Sequence, residues 1–389
     1  MQTYIPRNIQ SQIKEYLIDF PVVAILGPRQ CGKSTLAHTI VQKNKNSVYL
    51  DLEKPSDLRK LQDAELFFNM HKDNLICLDE IQRAPDIFPV MRSIVDEHKK
   101  KGHFLILGSA SRNLIKQSSE SLAGRIAYME LTPFVSTELF SSNKQAGEGL
   151  MKLWLRGGFP ESFLARNNTV STQWRENFIR TFLERDIPQL GFQIPAEAIQ
   201  RLWRMLAHSH GQVLNSSRLG QSLGISHTTV RSYIDLLSQT FMVRVLNPFT
   251  ANIKKRLVKS PKVYLRDSGI LHTLLEIETM NHFLGHPIYG FSWEGFVIEN
   301  ILSCLSDWRA AFYRTSSGNE IDLIIEKGKQ RIAIECKASS APTVSKGLGL
   351  ALRELQIENA WIIAPVDEAY PISRNVMVSP LMQFLKTLQ

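Results

Sequence analysis

The most specific chemical pattern in the sequence is a glycine-rich loop that follows a short apolar run. The run is Val22–Leu26, and the loop after it contains two glycines, a lysine and two hydroxyl residues. Its residues are Gly27, Pro28, Arg29, Gln30, Cys31, Gly32, Lys33, Ser34 and Thr35. This is the pattern G-x-x-x-x-G-K-[ST] between a predicted strand and a predicted helix, where backbone N–H groups and the helix N-terminus bind phosphate. We therefore expect the loop to bind ATP, with Lys33 on the β and γ phosphates and Ser34 as a ligand of Mg²⁺.

Two adjacent acids, Asp79 and Glu80, follow a second apolar run, Leu75–Leu78. The carboxylates are therefore expected at the C-terminal end of a buried strand, and ligands of open α/β sheets bind at that edge. We expect Asp79 to hold Mg²⁺ through water and Glu80 to polarise the attacking water, which would make the protein an ATPase. The alternative for Glu80 is a helix cap.

The order of the motifs resembles that of prokaryotic AAA+-type ATP-binding proteins with a C-terminal domain of unknown function. Beyond the loop, the resemblance rests on Leu75–Pro85, Gly108–Ser111, Ser121–Arg125, Gly157–Pro160 and Arg185–Ile187. It implies that Arg125 lies near the nucleotide, as a sensor or as a finger against a neighbouring subunit of a homo-oligomer. It also implies that a polar residue after the run Phe104–Leu107 lies between the acids and the γ phosphate. Ser109 or Ser111 would orient water there, and an ordinary turn explains the same residues equally well.

A third charged pattern lies near the C-terminus. The segment Asn319–Ile325 contains Asp322, and the segment Arg331–Lys337 ends in Glu335-x-Lys337, whose alternation puts both side chains on one face of a strand. The D…E-x-K arrangement is similar to that of restriction-endonuclease-like nucleases.

That similarity implies an acid on the preceding helix, Trp293–Leu302, where Glu294 fits slightly better than Glu299. Glu294, Asp322 and Glu335 would then hold Mg²⁺ beside a phosphodiester, and Lys337 would orient or deprotonate water. The alternative is a degenerate nuclease fold, or a surface salt bridge, without cleavage.

A helix-turn-helix pattern occupies the middle of the chain. Asn215 precedes a helix at Arg218–Leu223, and Ser226 caps a second helix at His227–Leu237. The exposed start of the second helix carries His227, Thr228, Thr229 and Arg231. We expect this segment either to place that helix in the major groove of duplex DNA or to serve only for packing against the ATPase domain.

Charge favours a nucleic-acid partner. The chain of 389 residues has a formal net charge of +9, and excess lysine and arginine attracts polyanions. One stretch without an acid contains Lys254, Lys255, Arg256, Lys259, Lys262 and Arg266. It is expected to act as a wing that contacts the DNA backbone, or to be a solvated loop. There is no apolar run long enough to span a bilayer and no secretory signal, so we expect a cytoplasmic protein that is not inserted in a membrane.

The predicted fold class is α/β. Five apolar runs alternate with helical stretches, which indicates an AAA+-like parallel sheet; they are Val22–Leu26, Ser47–Leu52, Leu75–Leu78, His103–Leu107 and Ile126–Leu131. A helical and winged-helix segment follows, and then an α/β restriction-endonuclease-like domain with the order helix, three strands, helix, strand. The expected boundaries are an ATPase domain at 1–150, a helical lid or connector at 151–195, a winged helix at 196–266 and the nuclease-like domain at 267–389.

Taken together, the residues predict an AAA+-type ATPase that couples ATP hydrolysis to conformational change on nucleic acid, with metal-dependent strand cleavage as a further activity. The alternative is an ATP-gated DNA-binding regulator whose nuclease-like domain is inactive.

Overall fold

The structure is a computed structural model, and it describes residues 4–388 except 110–117, 119, 141–145, 191, 193, 251–256 and 306. The chain divides into two compact units. The first contains residues 1–134 and 239–241, and the second contains residues 135–238 and 242–389. Among the described residues, no helix is both long enough and apolar enough to cross a bilayer.

The first unit is built around a parallel sheet of five strands. These are β1 (Val22–Leu26), β2 (Ser47–Asp51), β3 (Leu75–Asp79), β4 (Phe104–Gly108) and β5 (Ile126–Glu130). Their spatial order is β2-β3-β4-β1-β5, and every neighbouring pair is parallel. The predicted parallel sheet is confirmed, and each predicted strand end agrees with the observed one to within one residue.

Helices cover both faces of this sheet. They are α1 (Gln10–Asp19), α2 (Lys33–Gln42), α3 (Pro55–Lys60), α4 (Ala64–Met70) and α5 (Phe88–His98). One face packs against α4 and α5, with Phe68 and Phe88 in its core, and the other packs against α1 and α2, with Ile13 and Leu36. The middle strands β1, β3 and β4 are buried along their whole length, which explains their uninterrupted apolar sequences.

The second unit begins with helices. They are α6 (Ser136–Leu139), α7 (Ala146–Arg156), α8 (Pro160–Phe163), α9 (Asn168–Thr181), α10 (Ile187–Gln189) and α11 (Ala196–His208), with a π-helical turn at Phe182–Asp186. Trp154 of α7 and Trp203 of α11 are each almost completely buried. Trp154 lies in the segment 151–195 that was predicted to be helical, and Trp203 lies in the helix that follows it.

The predicted helix-turn-helix is present as α12 (Ser216–Leu223) and α13 (His227–Gln239). Asn215 caps α12 by accepting the N–H of Arg218 at 3.0 Å, and Ser226 Oγ accepts the N–H of Thr229 at 3.0 Å. Gly224 joins the helices with a φ of 68°, a left-handed conformation that glycine adopts without a Cβ clash. An antiparallel pair follows, β6 (Val243–Leu246) and β7 (Lys262–Leu265).

The C-terminal part of the second unit is a sheet of six strands with helices α14 (Ser268–Leu274), α15 (Met280–Leu284) and α16 (Tyr289–Cys304) before it. The remaining elements are β8 (Arg309–Arg314), β9 (Glu320–Lys327), β10 (Gln330–Cys336), α17 (Lys346–Leu355), β11 (Ala360–Ile363), β12 (Tyr370–Ser373), β13 (Val376–Ser379) and α18 (Leu381–Thr387). The sheet order is β12-β13-β11-β10-β9-β8, with β10–β11 and β11–β13 parallel.

The predicted order of helix, three strands, helix and strand matches α16 through β11. Two strands and a helix then follow that the sequence did not indicate. The residues of β12 are mostly exposed, so this short edge strand has no apolar periodicity by which a strand is recognised.

Candidate functional site

The phosphate loop connects β1 to α2, as its sequence requires. A Cβ on Gly27 would lie 2.2 Å from the carbonyl oxygen of Leu131, and Gly32 has a φ of 100°, so both positions exclude a side chain. Lys33 is the first residue of α2 and is buried. Its Nζ donates to the carbonyl oxygens of Gly27 at 3.0 Å and Pro28 at 2.8 Å. The ammonium is therefore held over the same loop that is predicted to surround the phosphates.

Arg7 supports this loop from outside, and the sequence motif gave no sign of it. Its Nη1 donates to the carbonyl oxygen of Cys31 at 2.9 Å, and its Nη2 donates to the carbonyl oxygen of Thr132 at 2.5 Å. The guanidinium also lies over the ring of Phe134, 4.9 Å from its centroid. Arg7 is 5% exposed, so these buried carbonyls depend on it rather than on solvent. One side chain thus joins the phosphate loop to the segment after β5.

Asp79 and Glu80 lie at the C-terminal end of β3. Asp79 is buried, its Oδ2 accepts the hydroxyl of Tyr49, and its Oδ1 accepts the N–H of Glu80 at 2.9 Å. Glu80 has a φ of 56°, and its carboxylate accepts a hydrogen bond from the amide of Gln82. It precedes the 3₁₀ turn Ile81–Arg83 without a side-chain capping bond, so the alternative of a helix cap is wrong. Tyr49, on the neighbouring strand β2, is a partner of Asp79 that the motif alone does not identify.

Ser109 follows β4, which lies between β1 and β3. It is buried, and within the described part of the chain its hydroxyl has no hydrogen-bond partner. Because parallel strands end at one edge, the sheet brings Ser109 to the edge that also carries the phosphate loop and the two acids. Ser111, the other candidate, lies outside the described residues. The roles predicted for these side chains stay predictions.

Arg125 does not lie beside the phosphate loop of its own chain. It precedes β5, and its carbonyl oxygen accepts the N–H of Val22, the first residue of β1, at 3.1 Å. The loop begins after the last residue of β1, about 16 Å away along the strand. The guanidinium instead forms two bonds to Asp96, of 2.6 and 2.9 Å. The expectation that Arg125 senses this nucleotide is wrong, because motif order does not tell at which strand end a residue lies. A finger role against a neighbouring subunit stays a prediction.

The second unit brings together the charged residues predicted near the C-terminus. The backbone N–H of Cys336 donates to Asp322 Oδ2 at 2.9 Å, which joins β9 to β10, and Lys337 Nζ lies 2.8 Å from Glu335 Oε1. Glu294, on α16, lies in the same group as Asp322, Glu335 and Lys337. Glu299 does not, because it pairs with Arg244 at 2.7 Å and Arg266 at 2.6 Å.

A lysine that was not predicted to belong to this set lies among its acids. Lys262 Nζ is 2.8 Å from Glu294 Oε1, 2.7 Å from Glu320 Oε1 and 3.8 Å from Asp322 Oδ1. Within the described residues, no group of three or more histidine, cysteine, aspartate or glutamate side chains is arranged to hold a metal ion. We call Lys262, Glu294, Glu320, Asp322, Glu335 and Lys337 the acid cluster.

Burial dominates the electrostatics of the acid cluster. Desolvation, with the nearby charge of Asp322, raises the pKa of Glu294 to about 7 and that of Glu335 to about 8, although lysines oppose both shifts. Desolvation also raises the pKa of Asp322. Glu299 differs: its burial favours a higher pKa, but its ion pairs with Arg244 and Arg266 outweigh that effect and lower the pKa to about 2. Salt bridges therefore keep Glu299 ionised, whereas burial, with the charge of Asp322 as a smaller cause, disfavours the ionised forms of Glu294 and Glu335.

The predicted basic stretch needs a correction. Lys262 is buried and Arg266 is half-buried, and both form ion pairs, so they do not contribute to an exposed cationic wing. Lys262 in β7 and Arg266 just after it both face α16, and burying their positive charges is favourable only because Glu294 and Glu299 of that helix pair with them. Lys259 is exposed, and Lys254, Lys255 and Arg256 lie outside the described residues. On α13, His227, Thr228 and Arg231 are exposed as expected, whereas Thr229 is half-buried.

Three family models match the chain. A model described as an AAA domain matches residues 19–140, a domain of unknown function (DUF8612) matches residues 147–281, and a second domain of unknown function (DUF4143) matches residues 289–384. The first covers the parallel sheet with its phosphate loop and acids.

The chain is also similar along almost its whole length to two curated proteins. The uncharacterized proteins Mb2031c of Mycobacterium bovis and Rv2008c of Mycobacterium tuberculosis are each 41% identical over 381 residues, which is 98% of this chain and 85% of theirs. Among solved structures, the Walker-type ATPase PABY2304 of Pyrococcus abyssi covers 70% of this chain and 96% of its own at 14% identity, with a TM-score of 0.49. A likeness that distant carries no argument about activity.

A substitution of Arg7 tests whether its hydrogen bonds stabilise the phosphate loop. Arg7→Ala leaves two buried carbonyl oxygens without their donor, at a cost of about 1–3 kcal/mol each. We expect hydrogen exchange of the amides in residues 27–35 to become at least about tenfold faster, since 1.4 kcal/mol corresponds to a factor of ten.

Mass spectrometry after deuterium labelling measures this exchange. The control is Arg59→Ala, which removes an exposed arginine of α3 in the same unit. Equal exchange in wild type and Arg7→Ala would contradict the role of Arg7 as a support.

Proposed function

The chain belongs to the same family as the mycobacterial proteins Rv2008c and Mb2031c, and it contains the AAA domain of a P-loop ATPase. From this family membership we propose that the protein couples ATP hydrolysis to a conformational change on duplex DNA. The ATP hydrolysis part of this proposal is supported by one observation, the sheet edge that the candidate residues share. The loop after β1, the acids after β3 and Ser109 after β4 leave three neighbouring strands in one direction.

The chemistry of this edge fits Mg²⁺ and ATP. Gly27 and Gly32 are positions that tolerate no side chain, so backbone N–H groups can approach phosphate oxygens closely. Ser34 would hold the ion directly, and Asp79 would hold it through water. When bound, Mg²⁺ supplies positive charge that offsets the charge of the phosphates. Tyr49 fixes the Asp79 carboxylate by a hydrogen bond, as outer partners of metal ligands do.

The remaining side chains have separate tasks in this proposal. Lys33 exchanges the carbonyl oxygens of Gly27 and Pro28 for phosphate oxygens, which are stronger acceptors for an ammonium group. Glu80 accepts a hydrogen bond from the attacking water and draws its proton. Ser109 contributes a buried hydroxyl that has no protein partner among the described residues and is free to bind the same water. Arg7 holds the loop in place without touching the substrate.

Duplex DNA is the proposed partner of the second unit. The capped pair α12 and α13 has the order and turn of a helix-turn-helix, and the start of α13 exposes His227, Thr228 and Arg231. The antiparallel pair β6–β7 follows, as in a winged helix, and Lys259 lies exposed before β7. These groups suit phosphate and base edges. The formal net charge of +9 supports the same partner.

For the C-terminal domain, we favour binding without cleavage over a metal-dependent nuclease. Glu294, Asp322, Glu335 and Lys337 do converge, which supports a nuclease-like architecture. The side chain of Lys262, however, contacts two of these carboxylates directly. The residues as they stand therefore do not fit a divalent ion, and we derive no cleavage step.

Two substitutions test the ATPase assignment. Lys33→Ala should abolish ATP binding or weaken it severely, because it removes the ammonium group that we expect to bind the β and γ phosphates. Glu80→Gln should bind ATP but hydrolyse it at least about 10²-fold more slowly, since a general base contributes that much. Glu65→Gln, an exposed glutamate of α4, is the matched control. A steady-state ATPase rate in Glu80→Gln equal to wild type would remove Glu80 from the mechanism.

Salt dependence tests the DNA assignment. Each lost phosphate contact reduces the slope of log K against log salt by about 0.9, so Arg231→Glu and Lys259→Glu together should weaken duplex binding and flatten the slope by about 2. Arg374→Glu makes the same charge change at an exposed position after β12 and should leave the slope unchanged. No binding to duplex DNA at low salt with ATP present would favour the packing role of the helix-turn-helix.

A further inference from the structure

The acid cluster lines one side of a cavity of about 780 Å³ in the second unit. Strand β9 contributes Glu320 and Asp322, and β10 with its C-terminal flank contributes Glu335 and Lys337. Helix α16 contributes Glu294, and β7 contributes Lys262. Four carboxyl groups thus face one space, and Glu294, Asp322 and Glu335 are each less than 10% exposed. Burying carboxylates this close together is unfavourable unless a cation or bound protons offset their repulsion.

Lys262 is that cation. It is 2% exposed, and its Nζ lies 2.7–3.8 Å from oxygens of Glu320, Glu294 and Asp322. The three acids come from a helix and a strand that are distant in sequence from β7, so the ammonium is the point at which they meet. The pKa of Lys262 is raised above its ordinary value because the three acids outweigh the effect of burial. The ion pairs themselves place the ammonium group of Lys262 at the centre of the three acids.

Several other acceptors of the cluster also have partners, although Glu335 Oε2 is buried and has no hydrogen-bond partner among the described residues. Tyr264 donates its hydroxyl to Glu294 Oε1 at 2.5 Å, and Arg314 Nη1 lies 3.2 Å from Glu320 Oε2. Lys337 pairs with Glu335, and the backbone of Cys336 bonds Asp322. A divalent ion would need several of these oxygens at about 2.0–2.6 Å. It would then lie within a few ångströms of the Lys262 ammonium, and two cations that close repel strongly in a buried site.

We propose that Lys262 is a built-in counterion that takes the place of a divalent cation among Glu294, Glu320 and Asp322, and that replacing it with a neutral side chain converts the cluster into a divalent-metal site. Wild-type protein accordingly binds no Mg²⁺ or Mn²⁺ at this cavity. This inference deepens the proposal that the C-terminal domain does not cut DNA. It is independent of the ATPase assignment, which concerns the other unit.

Mn²⁺ binding to the full-length, nucleotide-free protein tests the inference, with free Mn²⁺ followed by electron paramagnetic resonance. Lys262→Met keeps the length of the side chain and removes the charge. It should bind one Mn²⁺ per chain more than wild type does, so that free Mn²⁺ falls below the wild-type level at equal protein concentration, and adding Asp322→Asn should abolish the gain. Lys329→Met removes an exposed lysine from the turn between β9 and β10 and should behave as wild type. A folded Lys262→Met protein that gains no Mn²⁺ affinity would overturn the inference.

If Lys262→Met does not fold, a comparison of Mn²⁺ binding by wild type and Asp322→Asn still tests the inference. Wild type and Asp322→Asn should bind the same small amount of Mn²⁺, because the cluster contributes none. A Mn²⁺ ion that wild type binds and Asp322→Asn loses would overturn the inference. If that wild-type protein leaves duplex DNA uncut, the inference alone fails. Metal-dependent cutting that Asp322→Asn abolishes would overturn both the inference and the proposal of a non-cleaving domain.

Discussion

The parallel pairing of β3, β4 and β1 is the constraint on which the nucleotide site depends. These strands run in one direction, so the residues that follow them all lie at one edge of the sheet: the loop at Gly27, the acids Asp79 and Glu80, and Ser109. Residues 27 and 109 are 82 positions apart in the chain. Close contacts at this edge restrict the backbone of the phosphate loop. A side chain on Gly27 would meet the Leu131 carbonyl at 2.2 Å, and Arg7 bonds both the loop and Thr132.

The two units treat their buried acids in opposite ways. In the first, Asp79 accepts hydrogen bonds from a neutral tyrosine hydroxyl and a backbone N–H, and in the proposed function its carboxylate would also bind the Mg²⁺ of ATP through water. In the second, the carboxylates around Lys262 already have a cation from their own chain. Burial of charge is costly unless it is paired, and in our proposals the partner of the buried acids decides whether each site binds a metal ion.

The sequence predicted what local patterns determine. The strands of the first unit, the phosphate loop and the capped helices α12 and α13 follow from apolar runs, glycines and cap residues within a few positions. Arg7, Tyr49 and Lys262 were not predicted as site residues, because their partners lie 24 or more positions away and no short motif records such contacts. Glu294 and Glu299 were both candidates. Five residues turn a helix by about 140°, so only one of them can face Asp322, and packing decides which.

The central claim is that ATP and duplex DNA bind to one protein whose conformation links them. Binding of two ligands to linked sites is reciprocal, with coupling factors of about 5–150. The most direct measurement is the affinity of Glu80→Gln for duplex DNA at fixed salt, with saturating ATP and without nucleotide, because this variant should hold ATP without consuming it. The proposed function predicts that ATP changes the DNA affinity at least about fivefold, and that DNA changes the ATP affinity by the same factor. Equal DNA affinities in the two states would contradict it.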